Sequence, residues 1–350
     1  LDVYARQRVE AESGMPIFTA HPGAIRSASF TPDSNFLATG GDDGTARVWR
    51  VIDSPYLARS LAHSDVVTAL TVDRKDQIVA SGSRDGTVRV WNIHAGNASY
   101  ELKGPRRPVT SVAIQEGGHM IAAGYRNGDV HVWDPSKPTE SQSLPTHRGA
   151  VTGLHFDGAG SLVSSGADGI LAGWSLPFDS GLVISQKPLA SVPFALTRNR
   201  SGVAVIRDDN QIELFLTKDG RRVTEIQTQA GRLTALAWSP DNTAIVTGDE
   251  RGEIAFWNSR NGQLQAARAL HSASIRQILM DPKRGRYVTG DVDGTIKIWD
   301  TLTEPQELTS FTVLDNELLS MCLIPDHDWL VVAGAGQKLR LFGWRTGKLV

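Results

Sequence analysis

The 350-residue chain is 40% hydrophobic and 21% charged, a balance that excludes a disordered segment. Its formal net charge of -2 and pI near 6.5 give no global basic field, which disfavours nucleic acid as the main partner. A single cysteine, Cys322, permits no intramolecular disulfide.

Cys322 lies in the mostly apolar run Leu318–Ile324 and reads as a small buried hydrophobe. No apolar stretch reaches the ~20 residues of a membrane span, and no signal peptide is visible. These features imply a cytoplasmic chain without membrane insertion. The sequence opens with Leu1 rather than Met, which suggests processing or a segment of a longer protein.

Residues 1–14 read as a linker or the remnant of a strand, with Leu1–Tyr4 strand-like in type. From residue 15 onward one pattern repeats. Trp49, Trp91, Trp133, Trp174, Phe215, Trp257, Trp299 and Phe342 are spaced by 41 to 43 residues. Length therefore reflects repetition rather than two domains. Within the second repeat, Val66–Val72, Ile78–Gly82 and Thr87–Trp91 are strand-like, and a fourth strand is expected near Ser99–Leu102. Asp85-Gly86 is a tight-turn signal, because glycine accepts positive φ without steric cost. Comparable turns recur at Asp43-Gly44, Asn127-Gly128, Asp168-Gly169, Arg251-Gly252 and Asp293-Gly294.

Leu37–Arg50 (LATGGDDGTARVWR), Val79–Asn92 (VASGSRDGTVRVWN) and Val288–Asp300 (VTGDVDGTIKIWD) resemble the WD40-repeat signature. The resemblance implies an all-β, eight-bladed propeller with one four-stranded sheet per blade. Seven blades plus an extra terminal segment is the alternative architecture. Residues 15–350 would form a single propeller domain.

In the resembled family, a His, a Ser or Thr, an Asp and a Trp hydrogen-bond inside each blade. By that pattern the quartets are His21, Thr39, Asp43 and Trp49; His63, Ser81, Asp85 and Trp91; His147, Ser164, Asp168 and Trp174; and His271, Thr289, Asp293 and Trp299. Each could be mistaken for a Ser-His-Asp triad, but four copies of one constellation read as structural struts. Repeats 3, 5, 6 and 8 lack the full set and are expected to rest more on apolar packing. Repeat 6, for example, has Arg251 at the Asp position.

Ring closure is expected from segment 15–20, which stands where a fourth strand would stand and should pair with Lys338–Phe342. The tail Gly347–Val350 is the competing candidate for that strand.

The resemblance also places a binding face along the turns between the second and third strands and the loops leading into each first strand. On it, Arg84, Arg106, Arg107, Arg126 and Arg148 form a basic side. Asp208, Asp209, Asp249, Glu250 and Asp291 form an acidic side, and Asp42 joins the ring of candidate contacts. Such a polarised face would orient a protein or peptide partner. The histidines show no metal-ligand spacing, and no cofactor motif is present. The function expected is a monomeric, non-catalytic scaffold or sensor. The alternatives are an enzyme using the central pocket, or a nucleic-acid-associated module built on the arginines.

Overall fold

The computed structural model describes residues 17–349 apart from 20, 32–34, 51–55, 74–77, 94–98, 146, 157–159, 175–180, 186–193, 198–200, 208–209, 217–220, 229–230, 282–285, 301–305, 313–317, 325–328, 335–337 and 344–347. The expected strand remnant at Leu1–Tyr4 lies outside the described residues. Among those described there are strands and turns but no helix.

Eight antiparallel sheets follow one another along the chain. Blade 1 is built from Ile25–Phe30, Phe36–Gly41, Thr45–Arg50 and Tyr56–Ala62, from the innermost strand outward. Blade 2 repeats this with Val67–Val72, Ile78–Ser83, Val88–Asn92 and Ser99–Leu102. The innermost strands of the later blades are Val109–Ile114, Val151–Phe156, Phe194–Leu196, Leu233–Trp238, Ile275–Met280 and Leu318–Ile324. The first of these eight strands, Ile25–Phe30, also lies against the last, Leu318–Ile324, so the sheets close into a ring. The fold is an eight-bladed β-propeller.

Two segments share the outer position of blade 8. Ile17–Thr19 pairs antiparallel with Lys338–Arg340, and Lys348–Leu349 pairs with Phe342–Gly343 of the same strand. The N-terminal strand and the tail are therefore joint occupants of one edge rather than rivals for it. Both protect backbone donors and acceptors that would otherwise be bare.

The core is a series of layers between neighbouring blades. Val130, Val132 and Leu144 of blade 3 pack on Val151, Leu154 and Phe156 of blade 4. Val288, Ile296 and Ile298 of blade 7 pack on Leu318, Met321 and Leu330 of blade 8. Burying a side chain of this size contributes roughly 1.5–3 kcal/mol. A glycine recurring directly after the Thr, Ser or Ala of the second strand makes these layers possible. At Gly82, Gly124 and Gly290 any side chain would strike Val109, Val151 and Leu318, the leading residues of the next blade's inner strand. Polar links cross the same seams. Thr68 Oγ1 donates to Val109 O at 2.7 Å, and the Gln277 amide bonds both N and O of Met321 at 2.7 and 3.1 Å.

The tight turns also join blades. Gly44 O accepts from His63 N at 2.7 Å, and Gly128 O accepts from His147 N at 3.3 Å. Gly128 has φ 96°, and a side chain there would collide with the His147 carbonyl. Gly128→Ala should therefore cost about 2 kcal/mol or more, combining an unfavourable φ with a backbone clash. Urea unfolding of the variant beside the parent checks this.

Candidate functional site

The polar quartets mimic an active site in composition. In blade 1, Trp49 Nε1 donates to Thr39 Oγ1 at 3.0 Å. His21 Nε2 lies 2.8 Å from the same oxygen, and His21 Nδ1 lies 2.9 Å from Asp43 Oδ1. The Asp43 carboxylate can only accept, so the neutral imidazole carries its proton on Nδ1, and Nε2 accepts from the Thr39 hydroxyl, which in turn accepts from the indole. Blade 4 repeats the two histidine links of the pattern, with His147 Nε2 2.6 Å from Ser164 and Nδ1 3.0 Å from Asp168. In blade 2 a hydroxyl is interposed. His63 Nδ1 reaches Thr87 Oγ1 at 2.9 Å, and Thr87 donates to Asp85 at 2.7 Å. Ser81 still bridges His63 and Trp91, at 2.8 and 3.1 Å.

Blade 7 corrects the sequence assignment. His271 Nδ1 meets Asp291 Oδ2 at 2.8 Å, and Asp293 is an exposed turn residue instead. Asp291 also accepts from the backbone N–H groups of Asp293 and Thr295, at 3.1 and 2.8 Å. The reason is local space. Blades 1 and 4 have Gly41 and Gly166 at the corresponding position, where a Cβ would press on the histidine ring. There the carboxylate has to reach in from two residues later. In blade 7 the Asp occupies that position itself and bonds the ring directly.

Blade 6 uses the same device, so Arg251 does not mark a missing carboxylate. Asp249 is buried and accepts from the N–H groups of Gly231, Arg251 and Glu253 at 3.0, 2.9 and 2.8 Å. Gly231 N–H stands in for the histidine, and Trp257 still donates to Thr247 at 3.0 Å.

Blade 5 does not rely on apolar packing alone. Its brace is an ion pair between Arg207 and Glu213, 5% and 2% exposed, with Nε to Oε2 at 2.6 Å. Arg222 adds a second contact to Glu213 at 3.2 Å. Glu213→Gln should lower stability by about 3 kcal/mol, because it leaves the Arg207 charge buried without its partner. The joint substitution R207L/E213L should recover most of that loss in the same urea titration. In blade 3, aromatic packing replaces the quartet. Buried Tyr125 lies edge-on to His131 at 5.5 Å, and Trp133 Nε1 donates to Lys103 O at 2.9 Å.

The quartets share the connectivity of a hydrolytic triad but not its access. Thr39, Ser81, Ser164 and Thr289 are each 0% exposed. In blades 1, 2 and 7 an indole N–H also occupies the hydroxyl oxygen. No substrate carbonyl can approach such a hydroxyl. Burial drives all four imidazoles below the ordinary histidine range, with His63 pushed down to about 4. Cys322 is moved the other way, its thiol pushed up to about 11 by burial.

The face built from turns and loops is regular. Among the described residues of six blades, the residue before the turn Asp position donates its N–H to a residue leading into the inner strand of its own blade. These pairs are Asp42 to Ala24, Arg84 to Val66, Arg126 to Pro108, Ala167 to Ala150, Glu250 to Arg232 and Val292 to Ser274. One bond thus sets Asp42, Arg84, Arg126 and Glu250 at equivalent places round the ring. Arg84, Arg106, Arg107, Arg126 and Arg148 are all exposed.

The acidic side does not assemble as expected. Asp249 and Asp291 are 1% exposed and serve the blade interiors. Asp208 and Asp209 lie outside the described residues. Asp42 is held bidentately by Arg26 at 2.6 and 2.7 Å. Exposed Glu250 stands beside exposed Arg232 and Arg251.

A shallow cleft opens at the other end of the inner strands, lined by Thr71, Asp73, Ala113, Glu116, His155 and Phe156. Asp73 within it is 2% exposed and accepts from Gly117 N at 3.2 Å, holding a loop of the next blade. No cluster of ligands suited to a metal ion occurs among the described residues. No helix there is long and apolar enough to cross a membrane.

Comparison with known proteins follows the same division into blades. The WD domain, G-beta repeat model matches residues 14–50, 56–92, 96–134 and 138–175. The model for the anaphase-promoting complex subunit 4 WD40 domain matches 198–282. Eukaryotic translation initiation factor 3 subunit I of Nematostella vectensis is 26% identical over 51% of this chain and 57% of its own length. The rabbit (Oryctolagus cuniculus) protein of the same description is 25% identical over 38% of each chain. The matches thus span well under two thirds of these relatives. Among solved structures, the computationally designed Ika8 protein superimposes with a TM-score of 0.73 at 26% identity, over 92% of this chain and 96% of its own. Chaetomium thermophilum Sqt1, bound to the N-terminus of a ribosomal protein, gives 0.75 at 19% identity, over 93% and 98%. With most of the chain matched by WD40 models and eight blades closed into a ring, this chain belongs to the WD40-repeat propeller family.

Proposed function

We propose that this propeller is a non-catalytic scaffold that docks a protein or peptide on the face formed by its turns and inner-strand loops. The observation that carries this reading is the division of polar residues. Quartet histidines, hydroxyls and most quartet carboxylates are spent on bonds inside the blades, while in six blades the residue before the turn Asp position is held beside the loop entering the inner strand by one repeated backbone bond. A rigid frame with side chains displayed on loops is the usual arrangement for recognition. Sqt1, which shares this fold, is bound to the N-terminus of a ribosomal protein. The chain would act as a monomer in the cytoplasm, where one cysteine has no disulfide to form.

A photo-crosslinking residue placed at Ala167 or Val292 tests the face without altering its charge. Incubated in a lysate of the source cells, both variants should yield discrete protein adducts, and the same residue at Leu264 on an outer strand should yield none. Adducts confined to Leu264, or to a variant at Glu116 in the opposite cleft, would reject this face.

A further inference from the structure

We infer that the arc of the face over blades 2 to 4 receives an anionic peptide segment, whose carboxylate or phosphate groups are gripped by Arg84, Arg106, Arg107, Arg126 and Arg148. This rests on the scaffold reading and names the chemistry of the partner.

The arginines come from separate loops that the fold presses together. A side chain at Gly86, in the turn after Arg84, would strike the backbone of Arg106 and Arg107. Gly128, in the turn after Arg126, likewise abuts the backbone of His147 and Gly149 on either side of Arg148. Turn and loop thus interlock at two successive blade seams and place five exposed guanidiniums along one arc.

The carboxylates nearest in sequence do not cancel them. Asp85 and Asp168 have side chains only 8% and 10% exposed. Asp85 is engaged by Ser64 and Thr87, and Asp168 by His147, Arg148 N and Ile170 N. Asp65 accepts from Val66 N, and Asp129 from Asn127. Among the described residues, no ion pair engages any of the five guanidiniums. Elsewhere on the ring, Asp42 is clamped by Arg26.

Guanidinium forks suit carboxylate and phosphate groups, which they bind bidentately. Five of them along an arc match a run of anionic side chains better than one isolated anion. A chain of net charge -2 carries no general attraction for polyanions, so the preference is confined to this arc.

The test is fluorescence anisotropy with three labelled probes of equal length: a glutamate-rich peptide, a phosphoserine-rich peptide and oligouridine RNA. At least one peptide should bind the parent and lose affinity at least ~10-fold in R84E/R126E, with binding weakened by salt. The tighter peptide identifies carboxylate or phosphate as the source. R251E/R276E, on blades 6 and 7, should change affinity less than ~2-fold, and both double variants should match the parent in urea unfolding, as surface substitutions do. Failure of both peptides to bind, equal loss in the two double variants, or tighter binding of the RNA would overturn the inference. Crosslinking at Ala167 and Val292 that persists in R84E/R126E would leave the scaffold reading standing while this one falls.

Discussion

Replacing Asp291 by alanine should lower the stability of the propeller by about 3 kcal/mol, whereas replacing Asp293 should change it by less than about 0.5 kcal/mol. Asp291 is 1% exposed and holds an imidazole and two backbone amides. Without its carboxylate, His271 Nδ1–H and the N–H groups of Asp293 and Thr295 lose their acceptor, His271 in a buried setting. Asp293 is exposed in the turn and supplies no bond to the quartet. Urea unfolding of the two variants separates them. Equal effects would mean that the turn residue shares the strut, as a simple reading of the Asp-Gly motif expects.

The second large effect concerns acid. The folded chain holds His63 at about 4, and His21, His147 and His271 also below their ordinary value, with burial as the leading cause in each. An unfolded chain protonates each near 6.5. Below that pH the unfolded state binds protons that the ring refuses, so acid favours unfolding. Stability is therefore fully present above about 6.5 and drains as pH falls toward the folded values. Each such histidine contributes a slope of about 1.4 kcal/mol per pH unit between its two pKa values. Asp85, held at about 2 by hydrogen bonds from Thr87 and Ser64 that outweigh its burial, extends the loss below the ordinary Asp value of about 3.9. The urea midpoint should drop steeply from about pH 6.5 to 4, and H63Q should show a shallower slope than the parent. A midpoint that stays flat over this window would contradict neutral, buried imidazoles.

The repeat was legible because each blade must present the same aromatic, turn and small residue to its neighbours. Trp49 and Trp91 close equivalent strands, and the glycine of each Thr-Gly or Ser-Gly pair leaves room for the next blade. The struts of blades 1, 2 and 4 were legible for the same reason. Blades 6 and 7 were not, because the motif fixes attention on the Asp-Gly turn. The signal was nonetheless written in Thr247-Gly248-Asp249 and Thr289-Gly290-Asp291, where an Asp follows the Thr-Gly pair directly and ends a strand facing inward.

The same two residues, Asp249 and Asp291, are the ones that leave the acidic side of the face for the blade interiors. A carboxylate near a turn looks solvated in sequence, but its direction is set by strand parity and by whether a backbone amide waits for it. The Arg207–Glu213 pair was harder still to see. Arg207 directly follows the strand Gly202–Ile206 and Glu213 sits on the next strand, six residues on, and only the register of Val205 with Glu213 brings them together. The exposure of the five arginines was legible because arginines in these loops have no inward role to perform.

The most direct measurement is the pH titration of the histidine ring nitrogens by 15N NMR, with and without an anionic peptide. His63 should stay neutral, protonated on Nδ1, down to about pH 5, His21, His147 and His271 should each titrate below the ordinary histidine value, and none of the four should respond to the peptide. A quartet histidine that titrates near 6.5, or whose ring nitrogens shift when ligand is added, would mean that the inner polar groups face solvent and take part in recognition or chemistry.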